Sequence, residues 1–307
     1  MVKIIKFLIV FFLLAKNVGA LENKIILKVN NDIITTLDIF NEINNLKFFN
    51  NNLNQVDDNK IYEIALQSIL KSKIKKNEID RFFVSDKPIN NDYLNSLIES
   101  QYKKLGFKNL IDFKKELNSK NIDFENFEEK LEIEILWNQI IYSKFSKKVV
   151  INEDEIRKQI ENEKNIIVSY DLSEIIFEVT SLNELNLNYE LIIKDINEIG
   201  FENTALKHSI SDTSNNGGNL GWVDENQLNK EIIKELKMID NGSITKPIRI
   251  PSGFLVLKKK NTKKIERNRN IESELKKQIN FQKNEQLNNY SNIYFNKVRK
   301  DLKINAP

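Results

Sequence analysis

The chain of 307 residues has one histidine, His208, and no cysteine. That excludes a thiolate nucleophile, a disulfide framework, and zinc or iron–sulfur sites built on Cys. A single imidazole also removes multi-His metal sites, His-pair acid/base catalysis and haem held by two His ligands. His208 stands in Lys207-His208-Ser209, without a recognisable nucleophile context, so the sequence gives no warrant for a hydrolase. The other chemically distinctive run is Asn216-Gly217-Gly218-Asn219-Leu220-Gly221-Trp222. A Gly-rich loop can cradle phosphate, but no helix start with Lys-Ser/Thr follows this one, and nucleotide binding is set aside. Gly217, Gly218 and Gly221 are instead expected to supply positive φ or close backbone packing at a turn, with Trp222 filling space beside it.

The elements that position these residues fall into two textures. Residues 25–29, IILKV, read as a short strand followed by a turn at Asn30-Asn31-Asp32. Thr35-x-x-Asp38 caps a helix carrying Leu37, Phe40 and Ile43. Helical spacing recurs over 59–82, 91–105 and 109–119, then from Asp123 and again from Asn152. Residues 21–165 thus read as an all-helical unit with one opening strand. From 166 the pattern changes. IVSYDLSEIIFE (167–178) has a β-rich, partly alternating pattern, and Ser181-x-x-Glu184 is a capping box opening a helix with Ile192, Ile193 and Ile196. Five of the eight glycines and two of the four prolines lie between 217 and 253, the punctuation of short strands and tight turns. The order β–α–α–β–α–β–β describes a compact α/β domain over 166–262. Helical period returns from Ile271 to Leu302 in a Lys/Arg-rich stretch, read as the solvated face of an amphipathic helix. A lone helix and strand cannot form a core, so residues 263–307 are expected to pack on the N-terminal unit, with Leu302–Ile304 pairing with Ile25–Val29.

Composition bounds the class. With 40% apolar and 30% charged residues, the chain can build about two domains with a sizeable core. Residues 1–20 carry Lys3 and Lys6, an apolar run from Phe7 to Ala15, and a small-residue end at Val18-Gly19-Ala20. This is the pattern of a secretory signal peptide cleaved after Ala20, its apolar run being too short to span a bilayer. Cleavage would take three lysines and no acids from the 47 basic and 44 acidic residues, leaving a formal charge of zero. Nucleic acid then loses its electrostatic argument. The expected location is a periplasm, without stable membrane insertion after cleavage.

Three stretches resemble the SurA-type periplasmic chaperones with a parvulin (PpiC-type) domain. They are LKVNNDIITTLDIFNEI (27–43), HSISDTSNNGGNLGWVDENQL (208–228) around the Gly-Gly-x-Leu-Gly-Trp turn, and NGSITKPIRIPSGFLVLK (241–258). The order of signal peptide, helical module, parvulin domain, closing helix and strand also agrees. The resemblance implies an α+β fold: a mostly helical chaperone module, completed by the C-terminal helix and strand, plus one parvulin-like α/β domain. It implies binding of unfolded outer-membrane protein precursors and help in outer-membrane assembly. The alternative is an active peptidyl-prolyl cis/trans isomerase, which lowers a barrier of about 18–20 kcal/mol without covalent chemistry, metal or cofactor.

Active parvulins carry two histidines. The first lies on the opening strand, where Leu172-Ser173-Glu174-Ile175-Ile176 places Glu174. The second follows a glycine on the last strand, where Ser252-Gly253-Phe254-Leu255 places Leu255. The family's Cys or Asp falls near Ser211, or at Asp212 with the gap placed differently. Carboxylate is a poor substitute for imidazole, because it only accepts hydrogen bonds. Leu220, Leu228 and Ile232 fall where the family builds its proline pocket, Ser252 lines it, and Ile250 replaces a usual Thr. These apolar residues fit a peptide pocket and an ordinary core equally well. His208 aligns with an aromatic or His position at a helix end, where its role is structural. A third possibility is a scaffold whose basic C-terminal helix docks a partner.

Overall fold

The structure is a computed structural model that describes residues 23–85, 87–162, 166–179, 181–266 and 270–306. The expected signal peptide lies outside the described residues. Among those described, no helix is long and apolar enough to cross a membrane.

The N-terminal unit opens with β1 (Ile25–Val29) and β2 (Asp32–Thr35), an antiparallel hairpin in which Val29 faces Asp32. The sequence reading had only a turn before the first helix. The turn is there, with Asn30 in the left-handed region at φ 53°, but it returns the chain as a second strand. Burial explains why: Val29 and Ile34 are both fully inaccessible against the helices. Helix α1 (Thr36–Phe49) starts at a complete capping box, in which the Asp38 amide donates to Thr35 Oγ1 and the Thr35 amide to Asp38 Oδ2. Helices α2 (Asp58–Phe82), α3 (Asn91–Lys104), α4 (Leu110–Ser119), α5 (Phe124–Phe145) and α6 (Glu153–Asn162) follow. Each of α2 to α5 has an Asp or Asn at its N-cap accepting a backbone amide, so the starts are set by side chains next to them in sequence.

The second unit is a four-stranded antiparallel sheet in the order β4–β3–β6–β5, formed by β3 (Ile166–Phe177), β4 (Asn219–Asp224), β5 (Ile248–Ile250) and β6 (Gly253–Glu266). Helices α7 (Leu182–Ile199), α8 (Phe201–His208) and α9 (Lys230–Met238) complete it. Ser181 is the N-cap residue of α7, but the expected capping box is not formed, because the Ser181 side chain makes no cap hydrogen bond. Strand alternation divides the sheet. Ile175, Phe177 and Val256 face α7 and α8 through Ile192, Phe201 and Ala205. Tyr170, Leu172, Ile176, Leu255 and Leu257 face the other way, toward Ile232 and Leu236 of α9.

The chain closes with α10 (Ile271–Asp301) and β7 (Ile304–Asn305), which pairs with β1 through Val29 and Ile304. At about 100° per residue, Leu287, Ser291, Tyr294 and Val298 share one side of α10. Tyr294 and Val298 enter the core that contains Trp137, Ile140, Ile74 and Val29, with Leu287 packed at its margin. Gln278, Phe281, Glu285 and Asn289 lie within an arc of about 80° on the roughly opposite side, and that side meets the second unit. The helical module is therefore completed by an element from the far end of the chain.

Candidate functional site

Glu174 and Leu255 stand on the same sheet face, on neighbouring strands, because Glu174 pairs with Leu257 and Ile176 with Leu255. Leu255 is buried in the apolar cluster of that face. Glu174 is half-buried and accepts hydrogen bonds at Oε1 from Ser211 Oγ (2.7 Å) and Thr213 Oγ1 (2.8 Å). Burial, only partly offset by these two hydroxyls, raises the Glu174 carboxyl above its ordinary range. The Gly-rich turn holds this arrangement closed. Gly218 accepts the Glu174 amide through its carbonyl (2.8 Å) and donates to Thr213 O (2.9 Å). With φ +73° at Gly218, a Cβ there would sit 2.1 Å from Glu174 O, so no side chain fits. Gly217 and Gly221 also take positive φ.

Of the five residues assigned to the proline pocket, the structure brings four to one region. Ile232 is buried within the cluster, Leu228 and Ile250 pack against it, and Ser252, on the turn between β5 and β6, is also buried. Leu220 is the exception: it lies on the edge strand β4, 37% exposed, outside that cluster. The reason is local. Gly221 follows it in the left-handed region and the β3–β4 register shifts beside it, turning the Leu220 side chain out.

The loop after α8 also links the two units. Lys75 of α2 reaches Glu134 Oε2 (2.7 Å) and Asp212 Oδ1 (2.8 Å). Burial opposes its charge, and is outweighed by the Asp212 and Glu134 carboxylates with their hydrogen bonds, so the ammonium is held above its ordinary value. Ser291 Oγ donates to Asp212 Oδ2 (3.1 Å) and accepts from Trp137 Nε1 (2.8 Å). Lys71 donates to Leu206 O (2.9 Å); burial and then the Lys75 charge push its ammonium down to about 7. Asp212 is thus a tether to the helical module, while Ser211 beside it is the partner of Glu174. His208 ends α8 with Nε2 2.6 Å from Asp195 Oδ2, a carboxylate that also pairs with Lys207. The helix end is the position the resemblance gives it.

The sequence reading missed Thr213, the second hydroxyl on Glu174, and the Lys75 tether. Thr213 was legible as the residue two after Ser211. Lys75 was not, since its partner Asp212 is 137 residues away.

The Glu174 environment makes a pH-dependent prediction. Because the folded carboxyl titrates above its unfolded counterpart, the stability tied to it is full below the unfolded value of about 4.3. It is lost as pH rises through the folded value. Glu174→Gln keeps an acceptor for both hydroxyls and removes the charge. It is expected to stabilise the protein by about 1 kcal/mol at pH 7, with the gain vanishing toward pH 3. Urea unfolding at the two pH values checks this; an equal or reversed effect at pH 7 contradicts it.

Residues 183–261 match the rotamase family described as the PPIC-type PPIASE domain. A chaperone SurA from Pseudomonas putida is 24% identical over 184 residues, 55% of this chain and 42% of that protein. One from Nitrosococcus oceani is 26% identical over 48% of this chain and 37% of its own length. The chain spans about two fifths of the length of these curated relatives. Among solved structures, a SurA-like chaperone from Campylobacter jejuni is 21% identical, covering 93% of this chain and 99% of that one with a TM-score of 0.39. With four antiparallel strands and three helices around the matched segment, the chain carries a PpiC-type rotamase domain and is similar to SurA-type chaperones over about half its length.

Proposed function

We propose that this protein is a periplasmic chaperone that holds unfolded outer-membrane protein precursors and assists their assembly, with the parvulin-like domain serving in peptide binding. The division into a helical module (21–165), a parvulin-like domain (166–262) and a closing helix and strand (263–307) belongs to the same reading, as does export by a leader cleaved after Ala20. The observation that carries it is a cleft of about 980 Å³ bounded by α3, α5 and α10. Its walls alternate apolar groups (Leu97, Ile141, Leu287, and the rings of Tyr93 and Tyr142) with the amides of Asn138, Gln139, Asn284 and Asn288. Side-chain amides both donate and accept, which suits the unpaired backbone of an extended chain. Tyrosine rings give contact area at low entropic cost. Such a surface accepts many sequences and needs no metal, nucleotide or other cofactor.

Tyr93 and Tyr142 are both more than half exposed, so replacing them leaves the fold intact. Tyr93→Ala with Tyr142→Ala is expected to raise about fivefold the concentration needed to suppress aggregation of a urea-diluted outer-membrane β-barrel protein. Light scattering reads this. Unchanged suppression with an unchanged thermal midpoint would remove the cleft as the client site.

The match to the rotamase family favours one second reading, an active peptidyl-prolyl isomerase acting on exported proteins. The pocket could desolvate and twist the X–Pro amide without imidazole. Exchange spectroscopy on an aromatic-Pro peptide separates the readings: accelerated cis/trans exchange supports the enzyme, and shifted peptide signals without acceleration support binding.

A further inference from the structure

Part of the parvulin-like face is covered by α10. Phe281 of α10 packs against the cluster formed by Ile232, Leu255 and their neighbours. One turn before it, Gln278 is buried and donates through Nε2 to Asn226 O (2.7 Å), in the short turn that leads into Leu228. One turn after it, Glu285 lies on the same line of the helix, its carboxyl raised by desolvation and then by the charge of Glu174. One turn further, Asn289 accepts from Ser252 Oγ (3.4 Å). These four residues, spaced 3, 4 and 4 apart, form a single helix stripe. The stripe touches the surroundings of Leu228, Ile232 and Ser252 in turn.

We propose that α10 is the resident occupant of the parvulin-like pocket, with Phe281 at its centre, and that an incoming aromatic-Pro peptide competes with it. The inference rests on reading this face as a peptide-binding surface. An aromatic side chain held by an apolar cluster, flanked by hydrogen bonds to a backbone carbonyl and to a hydroxyl, reproduces the kind of contact such a peptide would make. Because α10 is built into the helical core through its opposite side, it stays tethered when the stripe lets go. Its local concentration at the pocket is therefore high, and a free peptide sees a weakened apparent affinity. Clients would gain access by separating the sheet unit from α10, not by unfolding either.

Phe281→Ala tests this on the full chain. Methyl-labelled Ile232 and Ile250 report the pocket, amide exchange of 226–232 and 248–250 reports its cover, and an acetyl-Ala-Phe-Pro-Phe-amide peptide is the probe ligand. Exchange in both segments is expected to rise at least tenfold over the parent chain, with peptide affinity rising at least tenfold as well. Unchanged exchange, or equal peptide affinity in parent and variant, would overturn the proposal. Exchange that rises while neither protein binds peptide would keep α10 as the occupant and refute the peptide-binding reading of the face. Should Phe281→Ala fail to fold, Gln278→Ala with Asn289→Ala removes only the flanking polar contacts. It is expected to raise exchange about threefold, and no rise there would equally overturn the proposal.

Discussion

Trp137→Ala is expected to destabilise the protein by about 3–5 kcal/mol, the cost of truncating a fully enclosed large aromatic side chain. Trp137 has no accessible surface. Its ring contacts Tyr294 (centroids 5.7 Å apart) and Phe295 (6.2 Å), so it joins α5 to the closing helix. Its indole N–H donates to Ser291 Oγ, which in turn donates to Asp212. Removing the indole therefore opens a cavity and takes one member from a buried hydrogen-bonded chain. Trp137→Phe separates the two effects, keeping most of the volume and losing only the donor, at about 1–2 kcal/mol. Urea unfolding followed by circular dichroism measures both. The other tryptophan, Trp222, is 44% exposed on β4 and reports the sheet unit independently by fluorescence. A loss below 1 kcal/mol for Trp137→Ala would mean that α10 is not held by this core.

Lys75→Met is the second large effect. Removing one partner of a fully buried ion pair costs about 3–5 kcal/mol, because the other is left without compensation. Here Glu134 and Asp212 retain about a third of their side-chain exposure, so water recovers part of that cost. The expectation is about 2–3 kcal/mol, with faster amide exchange over 211–216, the loop carrying Ser211 and Thr213. Two carboxylates left facing each other repel, and without the Lys75 charge the Glu134 carboxyl, already raised by burial, moves further up, so the deficit should shrink as pH falls. Adding Glu134→Gln and Asp212→Asn to Lys75→Met should restore most of the loss. A deficit independent of pH and unrelieved by the neutral triple variant would mean that Lys75 acts through its aliphatic stem alone.

The two effects converge on Asp212, and this gives the glutamate site its mechanical setting. The hydroxyls of Ser211 and Thr213 are positioned on a loop whose middle residue is anchored to the helical module. Any change that loosens the contact between the two units thus also reaches the partners of Glu174. Helix α10 connects in the same way, packing Phe281 on the Ile232–Leu255 cluster with one side while Ser291, on its other side, binds Asp212. Separation of the units would release the Ile232–Leu255 face and the loop together.

Much of this was readable in the residues themselves. Helix starts followed from Asp, Asn and Thr next to the amides they accept, and the order of strands and helices in the sheet unit followed from local periodicity and from glycines at positive φ. Those signals act within a few residues, so one sequence contains them whole. The place of Leu220 was not readable, because a register shift at Gly221 decides which way its strand faces. Nor was the second buried side of α10. A helix that buries two opposite stripes shows only its stronger apolar repeat, here that of Leu287, Tyr294 and Val298, and Phe281 passes as an isolated aromatic. The Lys75 tether and the Trp137–Ser291–Asp212 chain join residues 79 to 154 positions apart. Local pattern determined the elements and their type. Tertiary packing alone decided which charged groups meet, which sheet face is covered and by what, because those outcomes depend on surfaces that exist only once distant elements have been brought together.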